Sequence, residues 1–200
     1  MTTAGRLTDP IEIRERFEQA MLDRPEKLQR HTHRVVKGAL RLAAVHELDR
    51  DICSASAAGH DLFRHCGDGE LIALARHYRV PITEHEEAAP IILHGPLAAA
   101  YARDVIEVQH DEILDAIAFH TTAHPDYSLE SIAMFLADKI DPRKVRRDPG
   151  LAAVAAAAET DLYAAAAMFL ERRLTSQLNS GQPLHPLAVA SRNAFLRRSQ

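Results

Sequence analysis

His60 and Asp61 set an imidazole nitrogen beside a carboxylate, directly after the small-residue run Ala55-Ser56-Ala57-Ala58-Gly59. Both donor types suit a divalent cation of the iron, manganese, cobalt or zinc kind. Neighbouring side chains on a helix point roughly 100° apart, so an ion served by both must sit in the cleft between them. The small residues ahead of the pair let other backbones come close. Alone, the dipeptide is a weak signal, since a histidine among apolar neighbours is more often a core residue with a hydrogen-bonding partner.

The dipeptide gains weight from other donors. The chain holds 12 histidines in 200 residues, the loudest feature of its composition. His31, His94, His120 and Asp138 each fall on, or at the end of, a different apolar helix. Their neighbours are small or aliphatic: Ile92-Leu93 before His94, Ala118-Phe119 before His120, Leu136-Ala137 before Asp138. Ionisable groups in such company either face water or are buried and need a partner. One at a time, the structural reading wins; six such donors in order favour a shared cavity.

The elements that must position them read as helices throughout. Residues 1–9 read as a flexible tail ahead of one domain, 10–200. Asp9 caps and Pro10 opens the first helix. A second helix runs from Pro25 to about Glu47 and carries His31 and His33. A third, about Arg50 to His65, carries His60-Asp61 near its end and stops at Gly67-Asp68-Gly69. Glu70 to Tyr78 is short, and residues 82–95 are irregular. Leu97 to Gln109 and Asp111 to Thr122 follow, then the loop His124-Pro125-Asp126-Tyr127. Ser128 caps a helix to about Ile140, which Asp141-Pro142 ends. Leu151 to Leu178 reads as one long alanine-rich helix, and Pro186 to Arg198 closes the chain. No stretch alternates with period two and no internal repeat stands out, so the expected fold class is all-α, a single helical bundle domain.

Composition narrows the partners. The net charge of −4 and pI near 6.3 argue against nucleic acid or an anionic membrane surface. Cys53 and Cys66 are the only cysteines, and without a CxxC pair a thiolate zinc site is not expected. No apolar run reaches the roughly 18 residues of a membrane span, and the polar N-terminus lacks the apolar core of a signal peptide. The expected location is the cytoplasm. The small-residue face of the alanine-rich helix is compatible with a homodimer.

The ordered set His31-Thr32, His60-Asp61, His94-Gly95-Pro96, Ala116-Ile117-Ala118-Phe119-His120-Thr121-Thr122 and Ala137-Asp138-Lys139-Ile140-Asp141-Pro142 resembles the HD-domain metal phosphohydrolases. More narrowly it is similar to their YqeK-like branch, the symmetrical bis(5′-nucleosyl)-tetraphosphatases. The likeness runs from about residue 25 to 196 and includes Gln182-Pro183-Leu184-His185-Pro186 and Asn193. The resemblance implies an HD-type helical bundle holding two divalent transition-metal ions, iron first, with manganese or cobalt able to substitute. His31, His60, Asp61 and Asp138 would hold one ion. His94 and His120 would hold the other, with Asp61 and a hydroxide bridging. The implied reaction is hydrolysis of diadenosine tetraphosphate, or a related dinucleoside tetraphosphate, into two ADP by attack of that hydroxide.

Asp61 and Arg64 are then the expected catalytic residues. Arg64, His124, Lys139, Arg143 and Lys144 are expected on the substrate phosphates. Arg64 lies one turn past His60, where the family usually has lysine. His124 and Asp126 stand where the family usually has arginine and glycine, and Asp141-Pro142-Arg143-Lys144 replaces a Glu-Pro-x-Arg. These departures touch substrate choice more than the metal ligands. Two alternatives remain open: an HD phosphohydrolase for another nucleotide or a guanosine alarmone, and a non-catalytic nucleotide-binding HD protein.

Overall fold

A computed structural model describes residues 6–199. The architecture is all-α. The helices are α1 (Pro10–Met21), α2 (Glu26–Val45), α3 (Arg50–Gly59), α4 (Asp68–His77), α5 (Glu84–Ala88) and, after a 3-10 turn over Pro90–Leu93, α6 (His94–Asp104). Then come α7 (Asp111–Ala118), α8 (Leu129–Lys139), α9 (Pro142–Arg147), α10 (Leu151–Ala157), α11 (Leu162–Asn179) and α12 (Pro186–Arg198). No helix among the described residues is long and apolar enough to cross a membrane.

Side-chain caps set many of the starts. Asp9 accepts from Ile11 N, Asp49 from Asp51 N and Ile52 N, Ser128 from Ser131 N, Asp141 from Arg143 N and Asp161 from Ala164 N. Each satisfies amide donors that the first helical turn leaves without a partner.

Helix α3 is the hub, packed against α1, α2, α7 and α8. Every residue from Cys53 to Gly59 on it is buried, and nearly all are small. Gly59 shows why: a Cβ there would stand 2.8 Å from both Ile117 Cδ1 and Phe17 Cε2. Around this hub Ile13, Phe17, Leu42, Leu62, Ile113, Ile117, Ile132 and Phe135 are fully buried. The ends of α3, α7 and α8 and the starts of α2 and α6 converge on one side of that core.

The structure corrects several boundaries. Of the expected tail, residues 1–5 lie outside the described residues, and Leu7 is buried and bridged to Val108. Its amide donates to Glu107 O at 3.0 Å and its carbonyl accepts from Gln109 N at 2.8 Å. The third helix ends at Gly59, and the chain from His60 onward runs in tight turns. The expected helix 151–178 is two, because the Ala158–Asp161 turn ends α10 and Asp161 caps α11 afresh. Residues 84–88 and 142–147 form short helices where none was expected.

Candidate metal centre

His60 leaves α3 at its C-cap, and Asp61 follows in the first turn beyond. His31 comes from the first half of α2 and Asp138 from the last turn of α8. His94 begins α6, and His120 lies in the turn that ends α7. These six side chains, dispersed over more than a hundred residues, meet at one place. His60, Asp61, His94, His120 and Asp138 are buried, and His31 is partly so.

Asp61 organises the cluster. Its Oδ1 lies 3.0 Å from His94 Nε2 and 3.4 Å from His120 Nε2. Its Oδ2 lies 3.4 Å from His60 Nε2 and 3.5 Å from His31 Nε2. Asp138 Oδ1 completes the second half at 3.1 Å from His31 Nε2. Two groups offer ligand atoms all within 4.8 Å of one another: His31, His60 and Asp138, and His60, Asp61 and His120.

The imidazoles are oriented from behind. His60 Nδ1 donates to Ala57 O at 2.8 Å and His120 Nδ1 to Ile117 O at 2.8 Å, while His94 Nδ1 donates to Ile91 O. A carbonyl oxygen only accepts, so each Nδ1 carries the hydrogen, and in the neutral ring each Nε2 presents a lone pair toward Asp61. Nitrogen lone pairs then face one another and two carboxylates, with a shortage of donors. His60 Nε2 is buried with no hydrogen-bonding partner. An orphaned, inward-facing nitrogen among oxygen acceptors is the arrangement a divalent cation resolves, so the residues fit such an ion.

The electrostatics agree. Burial works against the charge of Asp61 and Asp138, yet both stay well below the usual carboxylate range. The surrounding imidazoles hold Asp61 down, and Lys139, His31 and Lys144 hold Asp138 down. Burial pushes His120 down to about 3, against the pull of Asp61, and so keeps its imidazole neutral. For His60 burial is again unfavourable to charge, but Asp61 and Asp138 outweigh it and raise its pKa. The cluster around Asp61 and Asp138 is thus a place that draws positive charge.

Close backbone approach makes the geometry. A Cβ on Gly95 would meet Ala118 O at 2.8 Å and His120 Nδ1 at 3.0 Å. Only glycine lets the start of α6 lie against the end of α7, which brings His94 and His120 together.

The expected substrate residues are placed differently from one another. Lys139 and Lys144 both sit on Asp138, with Nζ 2.6 Å from Oδ2 and Oδ1 respectively, and Lys144 also donates to Asp138 O at 2.9 Å. Arg64 is exposed in the turns after α3, not on a continuing helix face, with its amide on Asp61 O at 2.9 Å. Arg143 is exposed on α9. His124 stacks at a tilt on Phe119, with ring centroids 4.8 Å apart.

Two residues at the centre were not singled out from the sequence. Asp141 Oδ2 lies 3.1 Å from His31 Nδ1, and Arg34 Nε donates to the same oxygen at 3.0 Å. Asp141-Pro142 already has a local reading, as the stop of the preceding helix, and nothing in that reading points back to residue 31. His185, quoted in the C-terminal segment, caps α12 and reaches Glu86 Oε1 at 3.1 Å, away from the six donors. Neither cysteine is activated: burial, with nearby acidic groups, pushes Cys53 up to about 12 and Cys66 to about 11.

The HD domain family model matches residues 28–143, a span that includes all six donors. The chain belongs to the HD domain family. Among curated relatives of this HD chain, the symmetrical bis(5′-nucleosyl)-tetraphosphatase of Halalkalibacterium halodurans is 32% identical over 171 residues, covering 86% of this chain and 90% of the relative. The protein of the same description from Bacillus subtilis is 28% identical over 158 residues, covering 78% and 82%. A crystal structure described as a predicted HD superfamily hydrolase involved in NAD metabolism, from Clostridium acetobutylicum, superposes with a TM-score of 0.83 at 25% identity. That match covers 92% of this chain and 97% of the other. The HD fold, the His/Asp cluster and these relatives identify the chain as a hydrolase of the HD family.

Proposed function

We propose that this HD hydrolase cleaves a dinucleoside tetraphosphate symmetrically, with diadenosine tetraphosphate as the first substrate to test and two ADP as the products. The observation that carries the reading is the divided carboxylate of Asp61, one oxygen toward His94 and His120 and the other toward His31 and His60. The relatives' names supply the substrate class.

His31, His60, Asp61 and Asp138 would hold one divalent ion, and His94, His120 and Asp61 the other. Iron is the first candidate, with manganese and cobalt satisfying the same nitrogen and oxygen donors. Bound ions supply Lewis acidity toward phosphoryl oxygens and a water of lowered pKa.

The chain's own residues do the rest. Asp61 fixes the relation between the two halves of the site. The buried imidazoles, held by Ala57, Ile91 and Ile117 carbonyls, need no reorganisation as charge builds up on the phosphate. Arg64 and Arg143, both exposed, would meet outer phosphate oxygens, and His124 on Phe119 would offer an aromatic edge for a base. Lys139 and Lys144 on Asp138 bring positive charge to the floor of the site. The water oxygen joins one inner phosphorus, the central bridging oxygen leaves with the other nucleoside diphosphate, and the water proton goes to solvent. A soluble nucleotide substrate suits a cytoplasmic enzyme.

The test is product analysis by HPLC across diadenosine tetraphosphate, nucleoside monophosphates, deoxynucleoside triphosphates and guanosine alarmones. ADP alone from diadenosine tetraphosphate, lost in Asp61→Ala, is expected. AMP with ATP, turnover only of another nucleotide, or nucleotide binding without turnover would contradict the reading.

A further inference from the structure

Three of the four histidines at the centre are oriented by a main-chain carbonyl three residues earlier; His31 is not. Its Nδ1 faces Asp141 Oδ2 at 3.1 Å, a partner 110 residues away at the α8–α9 junction. His31 is also the least enclosed of the four, with 16% side-chain exposure against 0% for His60, 4% for His94 and 1% for His120. The other rings are held by enclosing packing as well as a carbonyl, so His31 depends most on its hydrogen bond.

Asp141 is itself held firmly. Its side chain is 1% exposed, Arg34 Nε reaches both its oxygens at 3.2 and 3.0 Å, and its Oδ1 caps α9 through Arg143 N at 2.8 Å. One carboxylate therefore caps a helix, ties α2 to the α8–α9 junction, and accepts the Nδ1 hydrogen of His31. A carboxylate behind a ligating imidazole fixes its tautomer and strengthens its donation to the metal more than a neutral carbonyl does.

We infer that Asp141 is a positioning residue for His31 and makes the ion held by His31, His60 and Asp138 the tighter of the two. This rests on the two-ion reading of the site. The donor count points the same way: that half has two imidazoles, Asp138 and Asp61 Oδ2, whereas the other has two imidazoles and Asp61 Oδ1.

Asp141→Asn separates the roles. Asparagine remains a good N-cap. Its one amide oxygen cannot both cap α9 and receive the His31 hydrogen, and its NH2 group turned toward Nδ1 disfavours the tautomer that leaves Nε2 free for metal. The experiment is calorimetric titration of Mn2+ into chelator-stripped protein, comparing wild type, Asp141→Asn, Arg34→Gln, His31→Ala and His120→Ala, with the thermal midpoint of each metal-free protein.

Wild type is expected to show two binding steps, the tighter one lost in His31→Ala and the weaker one in His120→Ala. Asp141→Asn should weaken the tighter step by roughly 10- to 100-fold and leave the weaker step in place. Arg34→Gln should weaken the same step by less, and it decides the matter if Asp141→Asn does not fold. Two unaltered steps in Asp141→Asn and Arg34→Gln, or equal weakening of both steps, would overturn the inference and leave the two-ion site standing. A wild type that binds no Mn2+ would overturn both.

Discussion

His94 Nε2 and His120 Nε2 stand 2.9 Å apart, each on a ring whose other nitrogen donates to a main-chain carbonyl. With Nδ1 protonated on both, two nitrogen lone pairs confront each other at hydrogen-bond distance with no hydrogen to share. Asp61 Oδ1, 3.0 and 3.4 Å away, adds a third acceptor. Such a cluster repels itself unless positive charge enters it, which links stability to metal binding.

Chelation should therefore both inactivate the chain and lower its thermal midpoint. An ion at about 100 times its dissociation constant stabilises by about 2.7 kcal/mol, which on a domain of this size is a shift of several degrees. Differential scanning fluorimetry with and without chelator, then with Mn2+ or Fe2+ restored, measures it. An unchanged midpoint and rate under chelator would count against a metal centre.

Arg64 is exposed beyond α3 and lies outside the six donors. Arg64→Ala should lower the rate by about 100- to 1,000-fold, as loss of one charge-stabilising group does, with metal content unchanged. Metal analysis run beside the kinetic assay separates these. If metal and activity fall in step, the arginine supports the fold near Asp61 rather than the phosphate.

Gly95→Ala should destabilise by about 1–3 kcal/mol, the usual cost of overpacking, since its Cβ would press on Ala118 O and His120 Nδ1. Because α6 must move off α7 to relieve that, His94 and His120 would part. Urea unfolding reports the first effect and loss of one Mn2+ equivalent the second. Gly69→Ala, at the same second position of its helix and with nothing within 4 Å of a Cβ, is the matched control.

Glu86 gives a pH signature away from the donors. Burial raises its pKa, but hydrogen bonds from Thr83 and His185 outweigh that and hold it below its usual 4.5. A depressed carboxylate stabilises the fold fully above its unfolded pKa, and that contribution fades as pH falls below about 4.5 through the folded value. Glu86→Gln should thus lower the urea midpoint at pH 7, and the gap from wild type should close as the pH falls below 4.5. A gap that stays constant from pH 7 to pH 3.5 would mean the charge of Glu86 is not what matters.

Much of this centre could be read from residue types. Helices α1 and α2 announce themselves by apolar stripes, α8 by its Ser128 cap and α12 by Pro186, and the six donors stand out as ionisable groups among aliphatic neighbours. What holds the donors could not be read. The carbonyls of Ala57, Ile91 and Ile117 leave no trace in side-chain identity. Asp141, with its proline, reads locally as a helix stop whether or not it reaches His31. The break between α10 and α11 is masked because alanine, the best helix former, flanks it on both sides. Leu7 looked like tail because a single bridge to Val108 has no periodicity.

The two-ion site requires Asp61 to divide its oxygens between the ions. Anomalous diffraction from crystals grown with Mn2+ tests it most directly. Two peaks are expected, roughly 3.5–4 Å apart, one among His31, His60 and Asp138 and one between His94 and His120, with Asp61 touching both. A map with no peak at these side chains, or with one ion that Asp61 does not contact, would contradict the account.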